Sequence, residues 1–113
     1  MRKTDKKIDN ELRLKLTDVC EQALKDIAGF QWLTHLVNYD DYPNSLMVVC
    51  VFDTNENLKN YLQSDESQAL ISLIQAEFKT MDIEFKRLGD HIAYDSEENC
   101  NQYHNGNWAL RLG

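Results

Sequence analysis

The chain has 113 residues, 42% of them hydrophobic, and carries a formal net charge of −7. This length fits one compact domain, and this hydrophobic content is sufficient for a core, which argues against wholesale disorder. The negative charge argues against a protein that coats nucleic acid with its whole surface. We therefore expect a single domain that spans residues 1–113.

The charge is distributed unevenly along the chain. Residues 1–15 have a net charge of +3, whereas residues 16–113 have a net charge of −10. A basic head on an acidic body is typical of an arm that binds nucleic acid, and the alternative is a solvated first helical turn. We predict that residues 1–7 form a flexible basic head, whose candidate contact residues are Arg2, Lys3, Lys6 and Lys7.

The cysteines and the apolar runs indicate the cellular environment. Cys20, Cys50 and Cys100 form no CxxC pair, and the N-terminus lacks the apolar segment of a secretory signal. This pattern predicts reduced thiols and a cytoplasmic location. The longest purely apolar run, residues 46–52, is far shorter than the roughly 20 residues that cross a bilayer, so no membrane partner is expected.

The N-terminal half predicts a long helix followed by a β-hairpin. Apolar residues recur at spacings of three and four over residues 8–27, and Gly29 supplies a left-handed stop. Residues 30–39 are rich in aromatic and branched side chains, and residues 45–52 are almost wholly apolar, as in a strand covered on both faces. Turn-forming residues at 40–44 join the two strands.

The C-terminal half repeats the alternation of helices and strands. Apolar spacing predicts a short helix over residues 58–63 and a second one from residue 64 to residue 78. Residues 82–86 alternate polar and apolar side chains, residues 91–94 form the return strand, and residues 96–104 form a helix. The order α-β-β-α-α-β-β-α predicts an α+β fold, with a four-stranded, mainly antiparallel sheet packed against helices.

Two hexapeptides in this order are similar. Residues 52–57 and 94–99 both read aromatic, Asp, hydroxyl residue, any residue, Glu, Asn. We predict that each ends a strand and opens a helix through a capping box, with Asp53 or Asp95 as the cap. The pair of hexapeptides indicates either two repeated ββα units or the same strand-to-helix turn occurring twice without a repeat.

One candidate catalytic site consists of Asp53, Glu84 and Lys86. Two carboxylates can hold Mg²⁺ while a lysine steadies a hydroxide or a phosphate, as in a metal-dependent phosphodiesterase or nuclease. The alternative is an exposed strand face with alternating charges, which we favour because such short patterns arise often by chance.

A second candidate is a metal site at Cys100 and His104. These residues lie at i and i+4 on one helix face, which suits Zn²⁺, and His91 or His35 would add a ligand. A half-buried cysteine beside a surface histidine explains the same pair and is the favoured interpretation. We therefore assign no catalytic residue, no metal ligand and no cofactor.

Aromatic residues beyond the minimal core indicate an interaction surface. Tyr42, Tyr103 and Trp108 are candidate exposed anchors, and a core built from large residues is the alternative. The main prediction is a non-enzymatic binding or regulatory module with a protein partner. The apolar strand over residues 30–39 also suits a homodimer.

Five segments carry a resemblance to a known family: MRKTDKKIDNELR, GFQWLTHLVNY, SLMVVCVFDTNE, DSEENC and GNWALRLG. They resemble a family of small gammaproteobacterial proteins that carry the label "Fis family transcriptional regulator". The label implies DNA binding and gene regulation, so the alternative function is a transcription-linked factor that contacts DNA through residues 2–15. Residues 82–113 have a net charge of −3, unlike a basic recognition helix, and no DNA-reading residue is carried over.

Overall fold

The computed structural model describes residues 2–113. Short 3-10 turns at Tyr39–Asp41 and Leu88–His91 separate some of its main elements. Within these residues, no helix combines the length and the hydrophobicity that a bilayer crossing requires. The elements are α1 (Lys3–Asp26), β1 (Phe30–Leu36), β2 (Met47–Phe52), α2 (Asn55–Gln63), α3 (Ala69–Lys79), β3 (Ile92–Ser96), α4 (Glu97–His104) and α5 (Trp108–Leu112).

The sheet has three strands in the order β1-β2-β3. Strand β1 pairs antiparallel with β2, as the predicted hairpin requires, whereas β3 pairs parallel with β2. The predicted α+β class is confirmed, but the predicted four-stranded, mainly antiparallel sheet is wrong. Helices α2 and α3 connect β2 to β3, and such a long crossover allows the chain to re-enter the sheet in the same direction.

The fourth predicted strand, residues 82–86, is an irregular segment. Asp82 adopts a left-handed conformation with φ 57°, which breaks the extended backbone at its first residue. Ile83 is 4% exposed, and its N–H donates to the carbonyl of Phe78 at 3.0 Å. The Phe85 ring stacks on His91, with the ring centroids 3.7 Å apart. The apolar alternation thus reflects two side chains that pack on the core, not a strand in the sheet.

Helices α1 and α3 pack together on one face of the sheet and form the main core. The even-numbered residues of β2 point into this core, and the odd-numbered residues Val49 and Val51 point to the opposite face. That second face also carries Trp32, which contacts Trp108 of α5. Because β2 is covered on both sides, it is almost wholly apolar. The α1 residues of the core are Leu12, Leu16, Val19 and Ala23, and Ile27 follows at the C-cap.

The first helix begins at Lys3, so residues 3–7 are helical turns of α1 rather than a flexible head. Asp5 points inward and is 9% exposed, and its carboxylate accepts a hydrogen bond from Arg2 Nε at 3.1 Å. At the other end, Gly29 has φ +84°, and a Cβ atom there would lie 2.6 Å from Asn57 Cβ. The predicted glycine stop is therefore required by both conformation and space.

Candidate functional site

The two similar hexapeptides lie side by side, because β2 and β3 are parallel neighbours and end at the same edge of the sheet. The Thr54 hydroxyl accepts a hydrogen bond from the N–H of Asn57 at 3.1 Å and caps α2. The Ser96 hydroxyl accepts one from the N–H of Asn99 at 3.0 Å and caps α4. The hydroxyl residue is thus the N-cap in both hexapeptides.

The prediction that the aspartates cap these helices is wrong. Asp53 Oδ1 accepts from the N–H of Thr54 at 2.7 Å and from Asn57 Nδ2 at 2.9 Å, and Asp95 Oδ1 accepts from the N–H of Ser96 at 2.8 Å. The hydrogen bond from Asn57 is the main reason that the pKa of Asp53 lies below its ordinary value, and burial opposes it. Each carboxylate therefore holds the strand-to-helix turn instead of the helix end.

Asn55 links the two helix starts directly. Its N–H donates to Glu98 Oε1 at 2.8 Å, its Nδ2 donates to Asn99 Oδ1 at 2.8 Å, and its Oδ1 accepts from Ser96 Oγ at 2.6 Å. The N–H of Glu98 in turn donates to the carbonyl of Asp53 at 3.1 Å. We call these five residues the strand-end network. This network joins two βα units. The predicted pair of ββα units is not matched, because residues 82–86 form no strand that pairs antiparallel with β3.

A tryptophan pair fixes the C-terminal segment to the second face of the sheet. Trp32 Nε1 donates to Glu97 Oε1 at 2.5 Å, and Trp108 Nε1 donates to Glu97 Oε2 at 3.1 Å. The two rings meet edge to face, with centroids 4.8 Å apart. Trp108 is only partly exposed, so it anchors α5 inside the molecule rather than serving as the predicted surface anchor.

An arginine–aspartate pair lies beside the tryptophans. Arg111 donates to both oxygens of Asp95, from Nε at 2.5 Å and from Nη2 at 2.9 Å, which is the bidentate arrangement. Burial raises the pKa of Asp95, but the hydrogen bonds and charge of Arg111 outweigh it, so that the pKa lies below its ordinary value. We call the set Trp32, Asp95, Glu97, Trp108 and Arg111 the tail clamp.

The candidate metal pair Cys100 and His104 lies against this clamp. Cys100 is fully buried, and burial raises the pKa of its thiol. His104 Nδ1 lies 3.3 Å from Arg111 Nη1, so this ring nitrogen faces a cationic group. No group of three His, Cys, Asp or Glu side chains suited to a metal ion occurs in residues 2–113.

The two other histidines have separate partners. His35 Nε2 lies 2.9 Å from an oxygen of Asp9, and His91 Nδ1 lies 2.8 Å from the carbonyl oxygen of Leu46. Neither residue therefore adds a ligand to Cys100 and His104.

The residues of the phosphodiesterase hypothesis lie at opposite ends of the sheet. Asp53 follows the last residue of β2, whereas Glu84 precedes Phe85, which stacks on His91 just before β3 begins. The parallel strands between these ends are five and six residues long, which corresponds to about 17–20 Å. A single metal ion with ligand distances of about 2–2.6 Å does not bridge such a gap.

A cluster that the sequence analysis missed ties α1 to the end of β1. Asp9 Oδ1 accepts from the Tyr39 hydroxyl at 2.7 Å and lies 2.9 Å from His35 Nε2. These hydrogen bonds, that of His35 first, hold the pKa of Asp9 below its ordinary value. Burial, followed by the Asp9 carboxylate, raises the pKa of Tyr39. The residues are 26 and 30 positions apart, and no local pattern marks such a contact.

The predicted basic contact residues lie at the N-terminal end of α1. Lys3, Lys6 and Lys7 are all exposed, and none of them lies within 4.0 Å of a carboxylate among residues 2–113. Arg2 differs, because its guanidinium pairs with Asp5. Further along the same outward-facing side, Leu14 is 70% exposed. We call Lys3, Lys6, Lys7 and Leu14 the outer face of α1.

The predicted tyrosine anchors have different environments. Tyr42 is partly buried and packs on Tyr39, with ring centroids 5.9 Å apart. Tyr103 is 66% exposed, and Arg111 Cζ lies 5.9 Å from its ring centroid. Of the aromatic candidates, Tyr103 is the one that offers most of its side chain to solvent.

Comparisons of this chain with protein-family models, with curated proteins and with solved structures give no match.

Proposed function

We propose that the protein is a non-catalytic binding module whose partner is an acidic protein, and that the outer face of α1 is its contact surface. The observation that carries this proposal is the exposure of Lys3, Lys6 and Lys7, which lie within two helical turns and have no carboxylate partner in residues 2–113. Three adjacent ammonium groups repel one another, and an anionic partner relieves that repulsion.

The internal carboxylates support a structural role for the polar residues elsewhere. Asp9, Asp95 and Glu97 each accept hydrogen bonds from two other residues and join elements that are distant in sequence. Side chains held in this way stabilise the fold. Within residues 2–113, Lys3, Lys6 and Lys7 of the outer face of α1, in contrast, make no ion pair.

The apolar group on this face favours a protein partner over nucleic acid. Leu14 lies two turns beyond Lys7 on the same side of the helix, so an amphipathic acidic helix would cover both its apolar and its charged groups. Nucleic acid would use only the lysines, and the net charge of −10 on residues 16–113 would repel its phosphates.

A matched pair of triple variants tests the proposal. The variant Lys3→Gln, Lys6→Gln, Lys7→Gln and the control Lys25→Gln, Lys59→Gln, Lys79→Gln lose the same charge from exposed positions. In pull-downs from nuclease-treated native lysate, we expect the wild type and the control to retain the same acidic protein and the first variant to lose it. Equal retention by both triple variants would show that the outer face of α1 is not the contact surface.

The same pull-down, together with a gel shift, also tests the alternative function, a transcription-linked factor that binds DNA. If nuclease treatment abolishes capture, and if a gel shift of duplex DNA weakens with salt and with Lys6→Gln and Lys7→Gln, the partner is nucleic acid. DNA binding that is indifferent to salt would contradict a contact made through these lysines.

A further inference from the structure

Strand β1 forms one edge of the sheet and is paired on one side only. Alternate residues of an antiparallel edge strand turn their N–H and C=O groups away from the ladder. The N–H of Asp53 donates to the carbonyl of Gly29, and beyond the bulge between Phe30 and Trp32 this alternation leaves the backbone groups of Leu33 and His35 directed outward. No other backbone partner of either residue is found outside the ladder in residues 2–113. This edge therefore presents backbone groups with which a further strand can pair.

A groove of about 290 Å³ runs along this edge, between α1 and β1. Its helix wall includes Arg13, Thr17 and Glu21, which lie on successive turns, and all three side chains are exposed. Its strand wall includes Leu33 and His35. The groove therefore combines unpaired backbone groups on one side with a row of opposite charges on the other.

We propose that the occupant of this groove is a second copy of the chain, so that two three-stranded sheets join through β1 into one six-stranded sheet. The row of Arg13, Thr17 and Glu21 on one copy is complementary in charge to the same row on an antiparallel second copy. Arg13 and Glu21 lie four residues before and after Thr17, so a two-fold axis at Thr17 places two copies of α1 antiparallel. Arg13 then meets the partner subunit's Glu21, and Glu21 meets the partner subunit's Arg13.

The strand register agrees with the same axis. Thr34 belongs to the groove wall together with Thr17 and is the central residue of Trp32–Leu36, the part of β1 in continuous register with β2, so we place the axis at both residues. With Thr34 at the centre, Leu33 lies opposite the partner subunit's His35. Both residues direct their backbone groups outward, which is the hydrogen-bonded pair of an antiparallel ladder. The Leu33 N–H then gains a carbonyl acceptor.

The charge pattern favours a second copy over an unrelated peptide. An unrelated strand would need one acidic and one basic side chain at matched positions, whereas this chain already supplies both. The net charge of −7 on each copy opposes association, but salt screens repulsion between distant charges beyond about 10 Å. The proposal is independent of the outer face of α1, because none of Lys3, Lys6, Lys7 and Leu14 lines this groove.

Sedimentation equilibrium of the full chain at 0.15 M salt, about the physiological ionic strength, tests the dimer with charge-reversal variants. Arg13→Glu and Glu21→Arg each turn two attractive pairs into two repulsive ones, and we expect each to raise the dissociation constant about tenfold. An equimolar mixture of the two variants, and the double variant Arg13→Glu, Glu21→Arg, should restore the wild-type value. Lys59→Glu and Glu56→Arg, on α2, are the controls and should leave it unchanged.

The Cys20 thiol provides a second readout, because it lines the groove and is partly exposed. We expect the rate of its alkylation to fall as the wild-type concentration rises and to stay constant for Arg13→Glu. A wild type that is monomeric up to about 1 mM would overturn the proposal. So would a dimer that both single variants leave intact, or a groove that binds only an unrelated peptide.

Discussion

At the scale of single residues, one carboxylate decides how the C-terminal segment is held. Glu97 accepts hydrogen bonds from both indole N–H groups of the chain, those of Trp32 and Trp108. An indole N–H that is withdrawn from water needs an acceptor. A helix of five residues such as α5 is too short to be stable alone, so its tertiary contacts, those with Glu97 and Asp95, hold it in place.

We predict that Glu97→Ala lowers the free energy of unfolding by about 1–3 kcal/mol, because it leaves two partly buried indole donors without an acceptor. Tryptophan fluorescence reports this site alone, since Trp32 and Trp108 are in contact. Urea unfolding followed by fluorescence should show the loss, together with an emission shift of the folded state toward that of exposed indole. Glu84→Ala, at an exposed site, is the control, and an equal effect of both substitutions would contradict this role.

The sequence already pointed to several individual residues. Gly29 was expected to end α1 in a left-handed conformation, and the structure requires it. Cys50 was expected in the core, where burial raises the pKa of its thiol to about 12. Trp108 could not be placed correctly, because its burial depends on Trp32 and Glu97, and the former lies 76 residues earlier.

At the scale of elements, the parallel pairing of β2 and β3 brings two helix starts together. Each strand ends in a hydroxyl cap, but the two caps are not equivalent. Thr54 is exposed and bonds only within its own turn, whereas Ser96 is fully buried and also donates to Asn55 Oδ1. The loss of Ser96 therefore removes both a cap and a link between two βα units.

We predict that Thr54→Ala lowers the free energy of unfolding by about 1 kcal/mol, the usual value for an N-cap. Ser96→Ala should lower it by about 2 kcal/mol, since it also leaves a polar atom of Asn55 without its partner. Ser72→Ala, at an exposed position of α3, is the control and should change stability by less than about 0.5 kcal/mol. Chemical denaturation of the three variants measures these differences, and a smaller effect at Ser96 than at Thr54 would refute the link.

The elements also show where local patterns fail. Residues 82–86 have the alternation of a strand, but Ile83 and Phe85 satisfy it by packing against Phe78 and His91. The outer edge of β3 is unpaired in the sheet, so a missing edge does not explain why this segment stays out of it. The left-handed Asp82 and the burial of Ile83 and Phe85 against the core are the physical reasons.

At the scale of the whole molecule, three carboxylates make the stability of the fold depend on pH. The pKa values of Asp9, Asp53 and Asp95 lie below the ordinary value of 3.8, because neighbouring donors stabilise the charged form. A group with a lowered pKa in the folded state contributes stability above its ordinary pKa and loses it as the pH falls through the folded value. The stability from these groups is therefore complete at neutral pH and is lost below 3.8.

We predict that the free energy of unfolding of the wild type falls as the pH drops below 3.8, and that Asp9→Asn makes this dependence shallower. The difference in stability between wild type and variant should be constant above about pH 5 and shrink in acid, because the variant lacks one titrating group. Urea unfolding at several pH values measures both curves. Lys59→Gln, which removes no carboxyl group, should keep the wild-type slope, and a parallel curve for Asp9→Asn would contradict the assignment.

The sequence by itself determined the α+β class, the long helix α1 and the hairpin of β1 and β2. It could do so because the period of apolar residues and the choice of turn residues are local properties that depend on the nearest few positions. The uneven charge, which leaves the lysines of α1 apart from the acidic body, was also readable from the chain alone.

Only the tertiary structure decided the number and direction of the strands, the tail clamp, the cluster around Asp9 and the groove beside β1. Each depends on contacts between residues that are far apart in sequence, such as Asp95 with Arg111 or Trp32 with Glu97. Such contacts form when packing brings their elements together, and neither the spacing nor the composition of one segment specifies its partner.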